Sequence, residues 1–298
     1  MTHESRLTGW MSRNESRIKS ARIALSYLVR NPATLFAMII MVGWVIIAMF
    51  APLIAPYPAV YTDMSHRLLP PSPQHWFGTD DVGRDVFSRG IYASQIDLVV
   101  AIAVIAIAYS ISVPLGCAAG YYGGRLDEVV MRVTDMFLAL PSIILAMAIA
   151  AALGPSFTNT VIALAVSWWP WNTRVGRSRV LSIKESQYIS ASKSIGASNS
   201  RIIFLHLIPN TASPIIVQAT TDLGWTILAA SALGFLGIGI QAPTAEWGLM
   251  ISLGRIYALS QWWIPTMPGI AISLVVFASN LLGDGLRDIL DPKFRGLR

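Results

Sequence analysis

Five stretches of this chain, 33–55, 98–119, 136–153, 157–173 and 264–283, contain no Asp, Glu, Lys or Arg, and a sixth, 211–240, is broken by charge only at Asp222. A helix needs about 20 apolar residues to cross a hydrocarbon core of roughly 30 Å. Continuous apolar runs of this length do not suit outer-membrane strands, which alternate over about ten residues. Only 13% of the 298 residues are charged, against about 25% in soluble domains. The pattern predicts an all-α membrane protein with six transmembrane helices.

Basic residues orient it, because loops rich in Lys and Arg are retained in the cytoplasm. With the N-terminus inside, 18 of the 22 Lys and Arg fall in cytoplasmic segments, and the outer loops hold only Arg67, Arg84, Arg89 and Arg255. Both termini are therefore expected to be cytoplasmic. The first apolar run is too long for a signal-peptide core and follows a polar segment, so it is read as an anchor that stays in place. The net charge of +6 is accounted for by this bias, and nucleic acid is discarded as a partner. Cys117, the single cysteine, lies in an apolar run and is read as a small core residue.

The expected organisation is a cytoplasmic segment at 1–32, a first transmembrane helix at 33–55, an extracytoplasmic loop at 56–93, a core at 94–283 with a cytoplasmic loop at 174–210, and a cytoplasmic tail at 284–298. Within 14–30, Ile18, Ala21, Leu25 and Leu28 recur at helical spacing and suggest a helix in the membrane interface. Asn31 followed by Pro32 reads as an N-cap and a first helical position. Trp168, Trp169 and Trp171, and Trp262 and Trp263, read as interfacial belts.

The loop at 188–210, YISASKSIGASNSRIIFLHLIPN, is too polar to span. Tyr188, Ser192 and Ile195 share a helical face, Gly196 is a natural stop, and Ser198 or Asn199 can cap a second short helix carrying Ile202, Ile203, Phe204 and Leu205. Small side chains at Ser186, Ser190, Ala191, Ser192 and Ser194 would let another protein approach the backbone closely. The loop predicts a helix, a turn and a helix, which serve as a docking surface or form no more than a solvated loop with helical tendency.

This stretch resembles the cytoplasmic EAA loop of ABC importer permeases. The acidic residue and two alanines of that pattern are here Ser190, Ala191 and Ser192, while Gly196 and Pro209 match it. HWFGTDDVGRDVFSRGIYAS (75–94), ALGFLGIGIQAPTAEWGLMI (232–251) and NLLGDGLRDILDPK (280–293) are similar to signatures of the peptide and nickel importer branch, and the length resembles the shorter of its two paired permeases. The resemblance implies a type I ABC importer transmembrane-domain fold in the bacterial cytoplasmic (inner) membrane. It further implies a second homologous permease, two cytoplasmic ATPases, an extracytoplasmic substrate-binding protein and, as cargo, di- or oligopeptides, with nickel, glutathione or oligosaccharide as alternatives. Tyr188, Ser190, Ala191, Ser192, Ser194, Gly196 and Ala197 would then form the helix that couples to the ATPases.

No G-x-x-x-x-G-K-[ST] loop occurs in the sequence, so no cofactor is expected on this chain, and ATP and Mg are assigned to the partner ATPases. Intramembrane proteolysis is disfavoured: His3, His66, His75 and His206 all fall outside the expected spans, and NLLGDG has Leu281 where an aspartyl protease turn needs glycine. A channel or secondary transporter working without ATP would leave the small-residue loop helix without a purpose.

Polar residues inside a span are costly unless they face protein or water. Asp222, with Gln218 and Thr226, is the candidate translocation pathway, and a structural acid hydrogen-bonded to neighbouring helices is the other reading. Asp80, Asp81, Arg84 and Asp85 on the outer loop fit no calcium loop and suggest a folded contact for the binding protein or the partner permease. Asp97, Asp127, Glu128 and Asp135 are expected to be interfacial charges or members of local ion pairs. Gly234, Gly237 and Gly239 favour close helix contact or an unwound segment.

Overall fold

The computed structural model describes residues 31–290. The interfacial helix expected at 14–30, and the end of the tail beyond 290, lie outside them. Among the described residues the fold is helical throughout, with a single isolated bridge between Thr79 and Asp85.

Helix α1 (Pro32–Met49) starts as its sequence dictates: the Asn31 side chain accepts from the backbone N–H groups of Ala33 and Thr34, and Pro32 needs no donor at the first position. Ala37, Met41 and Trp44 turn inward, while Phe36, Ile39 and Val42 stay exposed on the opposite face, as a lipid-facing helix requires. A one-turn helix, α2 (Ala51–Ile54), leads into the outer loop.

Helix α3 (Val86–Tyr122) has 37 residues, roughly 55 Å at 1.5 Å per residue. It begins at Val86 rather than Leu98 because its charged first turns are satisfied inside the protein: Arg89 and Asp97 are each 1% exposed. Gly123 ends it, and α4 (Gly124–Leu138) and α5 (Ser142–Leu153) follow with an 81° bend between them. One straight helix over 136–153 therefore does not form. The chain breaks before Pro141, whose ring disfavours helix in the preceding residue.

Helix α6 (Phe157–Ile183), capped by Ser156, returns against α3. A short α7 (Gln187–Ser194), an α8 turn (Asn199–Ile202) and a π segment (Ile203–Leu207) lead into α9 (Ile208–Phe235). The expected second loop helix is thus continuous with the span that follows it. The run 233–239 straddles the end of α9, and an irregular segment precedes α10 (Trp247–Gly254) and α11 (Trp263–Leu290).

Four of these helices, or five with α4 and α5 as one bent span, are long and apolar enough to cross a membrane. Helix α6 is diluted by Asn159, Ser167 and Asn172 and then by Arg174, Arg177 and Arg179. Three apolar clusters hold the bundle. One joins α1, α3, α10 and α11 around Trp44, Trp247 and Ile272; a second joins α3, α5, α6 and α9 around Val104, Ala146, Leu164 and Leu233; the third lies under α7. Trp263 departs from the belt reading, being 8% exposed with its indole N–H directed at the Thr79 carbonyl at 3.5 Å.

Candidate functional site

Helix α7 sits between the ends of α6 and α9, and its burial is one-sided. Ile189, fully buried, packs with Val180 of α6, Cys117 of α3, and Ile202, Ile203 and Leu207 leading into α9. On the other face Tyr188, Ser190, Ala191, Ser194 and Ile195 are exposed, while Ser192 and Ala197 are half-buried. Ser192 and Ser194 turn their hydroxyls back onto the carbonyls of Tyr188 and Ser190 at 2.9 and 3.1 Å, which leaves the outer face short and smooth.

The turn is closed at Gly196, where φ is +81°, a conformation that costs an L-residue roughly 1–2 kcal/mol. The N–H groups of Gly196 and Ala197 bond the Lys193 and Ser192 carbonyls at 2.9 and 3.1 Å. Ser198, not Asn199, is the cap of α8, accepting from Arg201 N–H. Asn199 instead accepts from the Tyr121 hydroxyl at 2.9 Å, and Lys193 lies 5.2 Å above the Tyr121 ring. The end of α3 thereby clamps both limbs of the loop.

Within the bundle, Asp222 gathers donors from three helices. Its Oδ2 accepts from the Tyr109 hydroxyl of α3 at 2.8 Å and from Asn172 Nδ2 of α6 at 3.0 Å, and its Oδ1 accepts from Gln218 Nε2 at 2.8 Å. The structure brings Gln218 and Asp222 together but not Thr226, whose buried hydroxyl has no partner. Tyr109 and Asn172 were not singled out by sequence reasoning. The signal available was the one that marked Asp222, a polar side chain within an uncharged run.

A buried carboxylate pair stands at the start of α10. Trp247 N–H reaches Asp97 Oδ2 at 3.3 Å, and Gly248 and Leu249 N–H reach the two oxygens of Glu246 at 2.8 and 2.6 Å. Three successive helix N-terminal donors are thus capped by two acids. Asp97 is consequently buried and, among the described residues, not ion-paired, because α10 supplies backbone N–H where an ion pair was expected. The other three acids do pair: Asp127 with Arg177, Asp135 with Arg174, and Glu128 with Arg132.

The outer loop folds around its charges. Asp80 accepts from the backbone N–H groups of Val82 and Arg84 at 3.1 and 2.9 Å and from Arg84 Nε at 2.6 Å, with Arg89 Nε 3.9 Å away. Asp85 caps α3 through Ser88 N and Oγ, both at 2.7 Å, and meets His75 Nδ1 at 2.9 Å. Asp80 and Asp85 are buried, while Asp81 and Arg84 reach the surface in part.

An all-helical membrane body with a one-sided helix held between two of its long helices is the plan of a transport permease. Residues 112–296 match the binding-protein-dependent transport system inner membrane component, and residues 21–71 match the N-terminal TM domain of oligopeptide transport permease C. The chain belongs to the first of these families, and is a multi-pass permease subunit of the inner membrane. It is 44% identical, over 95% of its length and 94% of the relative's, to the probable D,D-dipeptide transport system permease protein DdpC of Escherichia coli. It is 46% identical, over 92% and 90%, to the dipeptide transport system permease protein DppC of Alkalihalophilus pseudofirmus. The glutathione transport system permease protein GsiD of Escherichia coli is 41% identical over 90% and 88%.

Proposed function

We propose that this chain is one of two permease subunits of an ATP-driven importer of di- and oligopeptides. A binding protein outside would deliver the cargo, and two cytoplasmic ATPases would bind ATP and Mg and supply the energy. The observation that carries this reading is α7, exposed on one face and fixed on the other to the helices before and after it. A push on α7 would reach α6 and α9 together, and Asp222 bonds both of these helices to α3, so that they tilt as a unit and open the path alternately to each side.

On this reading α1, α3, the bent pair α4–α5, α6, α9 and α11 are the six spans of a type I importer domain, with both termini in the cytoplasm on the strength of the basic residues. Tyr188, Ser190, Ala191, Ser194 and Gly196 present the face that enters the ATPase groove, with Ser192 and Ala197 at its edge. Gln218 lines the path, Asp222 stands behind it, and Thr226 lies one turn further along α9. Asp81 and Arg84 are the parts of the outer acidic cluster that remain available to the binding protein or the second permease.

The dipeptide names of two relatives support a peptide cargo, and the name of a third supports glutathione, itself a tripeptide. The test is uptake and ATP hydrolysis by the reconstituted transporter with binding protein loaded by a dipeptide, by glutathione or by nickel. Stimulation by the dipeptide alone, or by both peptides, upholds the reading. Stimulation by nickel alone overturns it.

A further inference from the structure

A cavity of about 790 Å³ lies between α6, α9 and α11, with Arg179, Ser213, Gln218, Thr221, Asp284 and Arg287 among its lining. This volume is within the range of about 300–1,000 Å³ typical of small-ligand sites. From Asp284 to Leu290, its walls on α11, the helix advances roughly 9 Å, and an extended chain of two residues spans about 7 Å. Thr221 and Gln218 stand at the membrane end, where Gln218 donates to Asp222 at 2.8 Å. Arg179 and Arg287 stand towards the end that the basic residues place in the cytoplasm. A polar track therefore runs from the mid-membrane hydrogen-bond hub to the inner surface.

The charges on that track are unspent. Arg174 and Arg177, on the same helix as Arg179, are paired with Asp135 and Asp127. Among the described residues Arg179 and Arg287 have no ion-pair partner, and neither does Asp284, one turn before Arg287 on α11. All three are exposed. Two guanidinium forks and one carboxylate across a cleft of this depth complement a molecule that carries a carboxylate at one end and an ammonium at the other.

We propose that this cavity is the receiving site from which a short peptide leaves for the cytoplasm, with Arg179 and Arg287 together taking its C-terminal carboxylate and an acidic side chain where it has one, and Asp284 its ammonium. The inference rests on the peptide-importer reading above and adds the site and the charge preference. Arginine suits the task because its planar donors accept a carboxylate bidentately and are weakly hydrated. The site would also favour peptides with an additional acidic side chain.

The experiment is uptake of Ala-Glu and of Ala-Lys into liposomes holding the complete transporter, each at saturating loaded binding protein, for wild type and the double variant Arg179→Gln with Arg287→Gln. The ratio of the two rates is the readout, since a loss of folding or assembly lowers both alike and selection by the binding protein is the same throughout. The expected result is a fall of about tenfold in the Ala-Glu to Ala-Lys ratio, the size of one charge-assisted hydrogen bond. An unchanged ratio overturns the proposal, whatever the total uptake. A total uptake that follows the content of anionic lipid while the ratio stays fixed overturns it too, and assigns the arginines to lipid headgroups. If wild type imports neither peptide although loaded binding protein docks, the peptide-importer reading itself has failed and takes this inference with it.

Discussion

The Tyr109 hydroxyl of α3 donates to Asp222 Oδ2 of α9 at 2.8 Å, on the same oxygen that Asn172 of α6 reaches at 3.0 Å. With Gln218 on Oδ1, one carboxyl serves three donors from three long helices. Hydrogen bonds between membrane helices average about 0.6 kcal/mol and reach about 1.7. Asp222→Ala therefore costs about 2 kcal/mol or more, Asp222→Asn less, and Tyr109→Phe least, about 1 kcal/mol. The unfolding midpoint of the purified complex should fall in that order, and an alanine variant that melts with wild type would show that the hub holds nothing. Uptake at the wild-type rate by Asp222→Asn would in turn show that the carboxylate has no part in the path.

That hub also measures what the sequence reveals. Asp222 and Gln218 sit four residues apart in one apolar run, where a polar pair is visible by its cost, whereas Tyr109 and Asn172 lie in different runs and meet Asp222 only through the packing of α3 and α6. The span boundaries at α3 failed for a related reason: Arg89 and Asp97 look like interface markers until Asp80, the Ala59 carbonyl and the α10 N-terminus are placed around them. The loop helix, its glycine stop and its serine cap were legible because they depend on neighbours in sequence. The bend before Pro141 and the π segment running into α9 were not, because tertiary contact decides how such a segment continues.

Helices α3 and α6 touch at Gly116, where an added Cβ would lie 2.4 Å from the Thr173 carbonyl oxygen and 3.0 Å from Arg177 N. Backbone cannot step aside as a flexible side chain can, so Gly116→Ala must part the helices, at about 1–3 kcal/mol, and Gly116→Leu should prevent assembly. Neighbouring Cys117, fully buried and the chain's single cysteine, reports the movement: maleimide labelling, negligible in wild type, should become measurable in Gly116→Ala. Labelling that stays at the wild-type level would mean that the contact is slack.

In the outer loop the two buried acids should outrank the half-exposed one. Asp85→Ala removes the α3 cap and orphans His75, a loss of about 1–2 kcal/mol. Asp80→Ala leaves Arg89, 1% exposed, without its one ion-pair partner among the described residues, and loss of a buried partner costs about 3–5 kcal/mol. Asp81→Ala, half-buried and free of these bonds, should cost under about 0.5 kcal/mol. Limited proteolysis of residues 55–85 should accelerate in the order Asp81→Ala, Asp85→Ala, Asp80→Ala, and equal rates in all three would contradict the bonding scheme.

The loop helix separates holding from pushing. Ile189 is buried among Val180, Ile202 and Leu207, so Ile189→Ala opens a cavity worth about 2–4 kcal/mol and loosens α7 from both flanking helices. Ala191 is exposed on the opposite face, so Ala191→Trp leaves the melting temperature unchanged while filling the surface that would enter the ATPase groove. Gly196→Pro is excluded by the +81° torsion, since proline holds φ near −65°, and it should break the turn. Peptide-stimulated ATP hydrolysis by the complete reconstituted transporter is then expected to be lost in Ala191→Trp with stability intact, and lost in Gly196→Pro and Ile189→Ala together with stability. If Ala191→Trp assembles with its ATPases and is stimulated as wild type, the exposed face is not the contact, and the push must enter elsewhere on the cytoplasmic surface.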